Sequence, residues 1–214
     1  MKKTFFIDFD GTITKVDTCI AVMDAFAQDA WKEVNEMWER KELTTEECAN
    51  RVFQLINVSP GHLRRLLETI EIDDYFLDFL AFCKDQSYQV YVLSDGYDFH
   101  IETVFHKYGI DLPYYANRLI YNDGFRISCI YSNPSCGGCG TCKTTLMEKL
   151  KKEGFQAVYI GDSYSDTCPA VQADLVFAKD VLYEYCMENG IAAVRFDDFQ
   201  DIMFYFTNTG GCQL

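Results

Sequence analysis

The sequence predicts an α/β protein: a parallel sheet covered by helices on both faces, with a helical insertion standing over one edge. Three observations carry this. Short apolar runs, Phe5–Ile7, Gln89–Leu93, Ala157–Ile160 and Leu175–Phe177, alternate with helix-length segments, the pattern of a parallel sheet buried on both sides. Three of these runs end in polar clusters, Asp8-Phe9-Asp10-Gly11-Thr12, Ser94-Asp95-Gly96 and Gly161-Asp162, and in such sheets ligands bind where the strands end. Between the first two runs, apolar residues recur at three- and four-residue spacing almost throughout, which is helical periodicity.

Taken in order, the first strand is followed by helices over 21–26, 31–38, 45–56 and 60–70, and a return helix begins at Asp74. Thr44-Thr45-Glu46-Glu47 supplies a capped start and Ser59-Pro60 another. The strand at Gln89 leads into a helix over 99–108. Asn122-Asp123-Gly124 predicts a tight turn between β-prone runs over 118–130. A helix over 144–153, the strand at Ala157, a helix through Val171 and the strand at Leu175 complete the alternation. The aromatic tail, Phe196 to Phe206, has spacing suited to a core or to contact with a second copy, so a homodimer is one expectation.

With 214 residues, nearly half of them hydrophobic, the chain can bury one good core with a smaller attached unit. A formal charge of -14 argues against a surface for nucleic acid, because binding a polyanion needs clustered Lys and Arg. No apolar run approaches a membrane span, and a cytoplasmic location is the expectation. An acidic protein that handles small phosphates must build its positive pocket locally, from a metal and one or two cations.

Asp8 and Asp10 are one residue apart at a strand end, so alternation sends both carboxylates to one face while Phe9 turns into the core. Like charges held that close call for a divalent cation, and Mg²⁺ suits hard oxygens with positions left open for phosphate. One Asp can then serve as nucleophile and the other as general acid and base. Ser94 can hydrogen-bond a phosphoryl oxygen, Lys143 can offset its charge, and Asp162 and Asp166 add carboxylates to the metal's surroundings.

The order Asp8-x-Asp10-Gly11-Thr12, Ser94, Lys143, then Gly161-Asp162-x-x-x-Asp166 resembles the haloacid dehalogenase superfamily over nearly the whole chain. The resemblance implies a Rossmann-like core over 1–16 and 85–214 with a helical cap over 17–84. It implies an aspartyl-phosphate mechanism with Asp8 as nucleophile and Asp10 as acid/base, the latter also binding Mg²⁺ through its carbonyl. Ser94 and Lys143 would hold the phosphoryl group, Asp162 would ligate the metal and Asp166 would support that shell. The chain is most similar to the phosphoserine phosphatase-like branch, which implies that Asp17 and Arg51 face the substrate beside Asp95 and Gly96. Asp95 departs from the glycine common there. Ser94-x-Gly96-x-Asp98-Phe99 and Phe177-Ala178-Lys179-Asp180 resemble the methionine-salvage phosphatases that act on 2-hydroxy-3-keto-5-methylthiopentenyl-1-phosphate. A small phosphorylated metabolite is therefore the expected partner. Phosphoserine hydrolysis, phosphotransfer and a non-enzymatic metabolite- or metal-binding role stand as alternatives.

Cys136, Cys139 and Cys142 are spaced like ligands of a structural zinc, or like a thiol clip ahead of Lys143. The same run reads equally as a glycine-rich loop that places Lys143. His62, His100 and His106 share no ligand spacing and read as exposed or core histidines.

Overall fold

The computed structural model describes residues 2–27, 29–136 and 138–208. β1 (Lys3–Ile7) lies at the centre of one sheet, flanked in parallel by β2 (Gln89–Tyr97) and β5 (Gln156–Gly161). β3 (Tyr114–Tyr121) continues the sheet beyond β2, and β6 (Leu175–Ala178) and β7 (Val194–Arg195) continue it beyond β5, again in parallel. β4 (Phe125–Ser128) pairs antiparallel with β3 around the turn at Asn122–Gly124. The order is β4-β3-β2-β1-β5-β6-β7.

Alternation along β1 explains its unbroken apolar run. Phe5 and Ile7 point to one face, where Phe5 meets the ring of Phe79 at 5.2 Å and that of Phe206 at 5.6 Å. Phe6 points to the other, where it stacks on Tyr91 at 5.8 Å and packs with Leu146 and Met147. The aromatic tail is α10 (Phe199–Asn208), and it packs on α5 (Phe76–Asp85) through Phe199, 4.9 Å from both Phe76 and Phe79. Its spacing is that of a core helix.

Among the described residues, four α-helices intervene between β1 and α5: α1 (Thr18–Phe26), α2 (Ala30–Glu39), α3 (Thr45–Gln54) and α4 (Pro60–Leu67). α3 opens with a capping box in which Thr44 and Glu47 satisfy each other's backbone N–H, and Ser59 caps α4 ahead of Pro60. The chain enters and leaves this insertion side by side. Thr14 bridges Ile72, Lys15 N–H donates to Glu71 C=O at 2.9 Å, and Asp73 N–H donates to Ile13 C=O at 2.8 Å. α5, the last helix of the expected insertion over 17–84, packs through Phe79 on Phe5 of β1 and through Phe76 on Phe199.

The insertion is seated on the β3–β4 hairpin. Asn50 of α3 accepts from Ile127 N–H at 2.9 Å and donates to Ile127 C=O at 3.0 Å, completing backbone bonding on that edge. Glu46 accepts from Cys129 N–H at 2.8 Å, and Phe53 meets Tyr97 edge-on at 4.9 Å. The remaining helices, α6 (Asp98–Tyr108), α7 (Lys143–Leu150), α8 (Thr167–Gln172) and α9 (Asp180–Glu188), complete the layers. Neither α9 nor β7 is foreseen from apolar spacing.

Candidate active site

β1 ends at Ile7, and pleating sends Asp8 to the Phe6 side of the sheet, where α7 begins. There Lys143, the first residue of α7, reaches across with its Nζ 2.7 Å from Asp8 Oδ1, 2.6 Å from Asp166 Oδ1 and 3.0 Å from Ser165 Oγ. Lys143, Asp8 and Asp166 are almost wholly buried. Burial by itself would lower the Lys143 pKa, but Asp166 and Asp8 hold it above the ordinary lysine value, so the ammonium stays charged.

Asp166 is saturated. Its Oδ1 also accepts from the Tyr159 hydroxyl at 2.6 Å, and its Oδ2 accepts from the N–H groups of Asp162 at 3.1 Å and Ser163 at 3.0 Å. It therefore orients Lys143 and the turn after β5 together. Asp162 accepts from the Thr12 hydroxyl on Oδ1, while its Oδ2 and the Oδ2 of Asp8 carry no hydrogen bond among the described residues.

A carboxylate oxygen from each of Asp8, Asp162 and Asp166 lies within 4.8 Å of the other two. Two buried carboxylates and the half-buried Asp162 face one ammonium, a deficit of positive charge. Burial and then Asp166 push Asp8 well above the ordinary carboxylate range, and burial and Asp166 raise Asp162 to about 6. An all-oxygen donor set with two open oxygens fits a hard divalent cation. Gly11 makes the approach possible: it sits at φ +77°, and a Cβ there would stand 2.5 Å from Asp162 Oδ2.

Asp10 occupies a neighbouring position. Its Oδ1 accepts from Thr18 N–H at 2.9 Å and from the Thr18 hydroxyl at 2.5 Å, and Ser94 Oγ lies 3.4 Å from its Oδ2. Burial, followed by the Asp17 charge, raises Asp10 to about 7 against the Thr18 hydrogen bonds. Gly96 is required by space here, since its Cβ would fall 2.4 Å from Asp10 Oδ2. Gly96 N–H instead donates to Ser94 Oγ at 2.9 Å. The structure thus brings together Asp8, Asp10, Ser94, Gly96, Lys143, Asp162 and Asp166.

The other expected residues stand differently. Asp17 caps α1, accepting from Ile20 N–H at 2.9 Å, and has a ligand atom within 4.8 Å of Asp10 and Cys19. Asp95 turns toward the loop before α7, accepting from Thr141 N–H at 2.7 Å and Asn117 Nδ2 at 3.2 Å, so in this conformation it anchors that loop. Arg51 is exposed on α3, with no hydrogen bond or ion pair among the described residues. The thiols of Cys136, Cys139 and Cys142 are free, and among the described residues no three of the chain's thiols come within 4.8 Å of one another. Thr12, Thr18, His100, Tyr159 and Ser165 join the site without having been anticipated. Only Thr12 and Ser165, inside the two acidic motifs, carried a signal.

A parallel sheet whose first strand delivers Asp8 and Asp10 to a lysine and a second aspartate pair belongs here to a phosphatase. A family model described as Putative Phosphatase matches residues 4–193, and the chain belongs to that family. It is 36% identical over 204 residues to a 2-hydroxy-3-keto-5-methylthiopentenyl-1-phosphate phosphatase of Bacillus cereus (strain B4264), covering 92% of each chain. It is 32% identical over 213 residues to the protein of that name from Lysinibacillus sphaericus (strain C3-41), covering 95% of this chain and 93% of the other. Among solved structures, a phosphoserine phosphatase in a phospho-aspartyl intermediate analogue form matches with TM-score 0.70 at 23% identity, over 95% of this chain and 98% of that one. A phosphoserine phosphatase in apo form matches with TM-score 0.71 at 21% identity, over 96% and 99%. At those identities the likeness is one of fold.

Proposed function

We propose that the chain hydrolyses a small phosphate monoester through an aspartyl-phosphate on Asp8, with Mg²⁺ as its cofactor. The observation that carries this is the Asp8 carboxylate, with one oxygen fixed by Lys143 at 2.7 Å, the other free of hydrogen bonds among the described residues, and a carboxylate oxygen within 4.8 Å of one from Asp162. Asp8, Asp162 and the Asp10 carbonyl would hold the cation, which when bound supplies positive charge to the carboxylate cluster and to the phosphoryl oxygens. Lys143, with the cation when it is bound, would favour the Asp8 carboxylate against the burial that raises it, and its free oxygen attacks phosphorus. Asp10, raised to about 7, carries a proton in a substantial fraction of molecules near neutral pH and gives it to the departing alkoxide. It then takes a proton from the water that attacks phospho-Asp8, which returns the carboxylate. Ser94 and Lys143 bind the phosphoryl oxygens. Asp166 serves as the support that holds Lys143 and the Asp162 turn.

The names of the curated relatives support a methionine-salvage enol phosphate as the substrate. We divide the chain for this role into a cap over 15–72 and a core that includes α5, because the linkers pair at Thr14 and Ile72. The test is phosphate release from a panel of small esters with and without Mg²⁺, using the wild type and Asp8→Asn. Turnover that requires the metal and is lost in the variant is the expected result. Near-normal turnover by Asp8→Asn refutes the mechanism, and efficient cleavage of phosphoserine alone refutes the substrate.

A further inference from the structure

Behind Asp10 lies a buried histidine that the proposed reaction does not use. Thr18, the first residue of α1, is fully buried, and its hydroxyl lies 2.5 Å from Asp10 Oδ1 and 2.9 Å from His100 Nδ1. His100 belongs to the first turn of α6, is fully buried, and packs edge-on against Tyr97 at 5.2 Å. Its Nε2 has no hydrogen-bond partner among the described residues.

We propose that His100 is a positioning residue for Asp10: a neutral imidazole, protonated on Nδ1, whose N–H donates to Thr18 and commits the single Thr18 hydroxyl proton to the Asp10 carboxylate. The proposal rests on the acid/base role given to Asp10 above.

The argument is a proton count. The Thr18 hydroxyl has one hydrogen and lies between two groups that can each accept it. With the proton on Nε2 instead, the lone pair of Nδ1 and the Asp10 carboxylate would compete for that hydrogen. A buried N–H on Nε2 would then have no acceptor, and such orphans are rarer than unfilled lone pairs. With the proton on Nδ1 every hydrogen in the chain His100–Thr18–Asp10 has an acceptor, and only the Nε2 lone pair is unused. A second proton on the ring is opposed by burial, which lowers His100 from 6.5 to about 3. The imidazole therefore contributes a fixed donor and no charge. Thr18 is held at its backbone as well, through its N–H to the same Asp10 oxygen. The histidine thus sets where the hydroxyl proton points, and the α1 backbone sets where the oxygen sits.

Two measurements test this. The first is the ring ¹⁵N spectrum at pH 7, where the three histidines are distinguished by loss of one signal in His100→Asn. A hydrogen on Nδ1 and none on Nε2 of His100 is expected, and the opposite tautomer overturns the proposal whatever the enzyme turns over. The second is kinetic. His100→Leu should lower kcat about 3- to 10-fold, the worth of one hydrogen bond, and leave KM unchanged. His100→Asn, which keeps an N–H donor near the Nδ1 position, should recover most of that loss. In a Thr18→Val background, His100→Leu should cost nothing further, because the partner through which it acts is gone. Additive losses, a loss carried by KM, or a His100→Asn variant as impaired as His100→Leu would make His100 a packing residue. Absence of any Asp10-dependent turnover would refute the site reading and leave the tautomer measurement standing by itself.

Discussion

Replacing Lys143 with methionine preserves the stem of the side chain and removes its charge, and the structure sets the size of the consequence. The ammonium lies 2.7 Å from Asp8 and 2.6 Å from Asp166, all three groups buried, so the weak energetics of exposed ion pairs do not apply. Removing one partner of a buried pair leaves an uncompensated charge and costs about 3–5 kcal/mol, a large share of a domain stability of about 5–15 kcal/mol. With an m-value of about 2–3 kcal/mol per molar urea, the midpoint should fall by about 1–2.5 M. The assay is urea unfolding followed by circular dichroism at pH 7 in EDTA. The sign of the pH dependence follows from Asp8, which burial and then Asp166 already raise above the ordinary carboxylate range. Without the ammonium it rises further, and a carboxyl raised in the folded state regains stability as pH falls through its folded value. The deficit of Lys143→Met must therefore shrink between pH 7 and pH 5.5. A loss under about 1 kcal/mol, or one equal at both pH values, would refute a charged Lys143 bound to two carboxylates.

Three further outcomes are expected. Arg51→Ala should leave KM within about twofold for an anionic and a neutral aryl phosphate alike, as fits an exposed surface charge; a tenfold rise for the anionic ester alone would show that the cap swings Arg51 inward during turnover. Asp95→Ala frees Thr141 N–H and Asn117, so amide exchange should accelerate over residues 139–143 and kcat should fall about tenfold, one charged hydrogen bond's worth; unchanged exchange would remove Asp95 from the anchoring of that loop. His100, lowered to about 3 by burial, gives the folded state fewer protons than the unfolded one below pH 6.5, so its stability contribution is complete above 6.5 and falls as the pH drops toward 3. Between pH 6.5 and 5 the wild type should lose about 2 kcal/mol from this group, a slope that unfolding curves of His100→Leu should lack.

The parts of the site that are legible in the sequence lie at strand ends. Asp8, Asp10, Ser94, Asp162 and Asp166 each follow an apolar run, and pleating together with the parallel order brings those ends to one edge. Lys143 is legible as the cation that phosphoryl chemistry needs, although a lysine that opens a helix has no pattern of its own. What stays hidden is the partner of a buried polar group. Thr18 falls ahead of the expected helix over 21–26 and His100 reads only as an exposed or core histidine, and their contact spans 82 positions and depends on how α1 and α6 meet. Asn50 and Ile127 are hidden for the same reason, since their pairing needs the cap already seated. Arg51 and Asp95 follow the same rule: position along a motif says which element bears a residue and leaves open which way its side chain turns. β2 runs to Tyr97, past the expected end at Leu93, because after a break in register Tyr97 pairs again with β3 at Asn117.

The paired linkers at Thr14 and Ile72 have a consequence for how such a chain can change over time. Since entry and exit lie in one antiparallel bridge, the sheet meets everything between them as though it were a single tight turn. Loop-closure entropy grows only with the logarithm of length, about 0.6 kcal/mol for each doubling. The segment between the bridge residues can thus be lengthened, shortened or exchanged for another fold with little disturbance to the register of β1 against β2 and β5. The insertion is thereby free to vary as a cassette, while Asp8, Ser94 and Asp162 stay fixed at the edge by the strands that carry them.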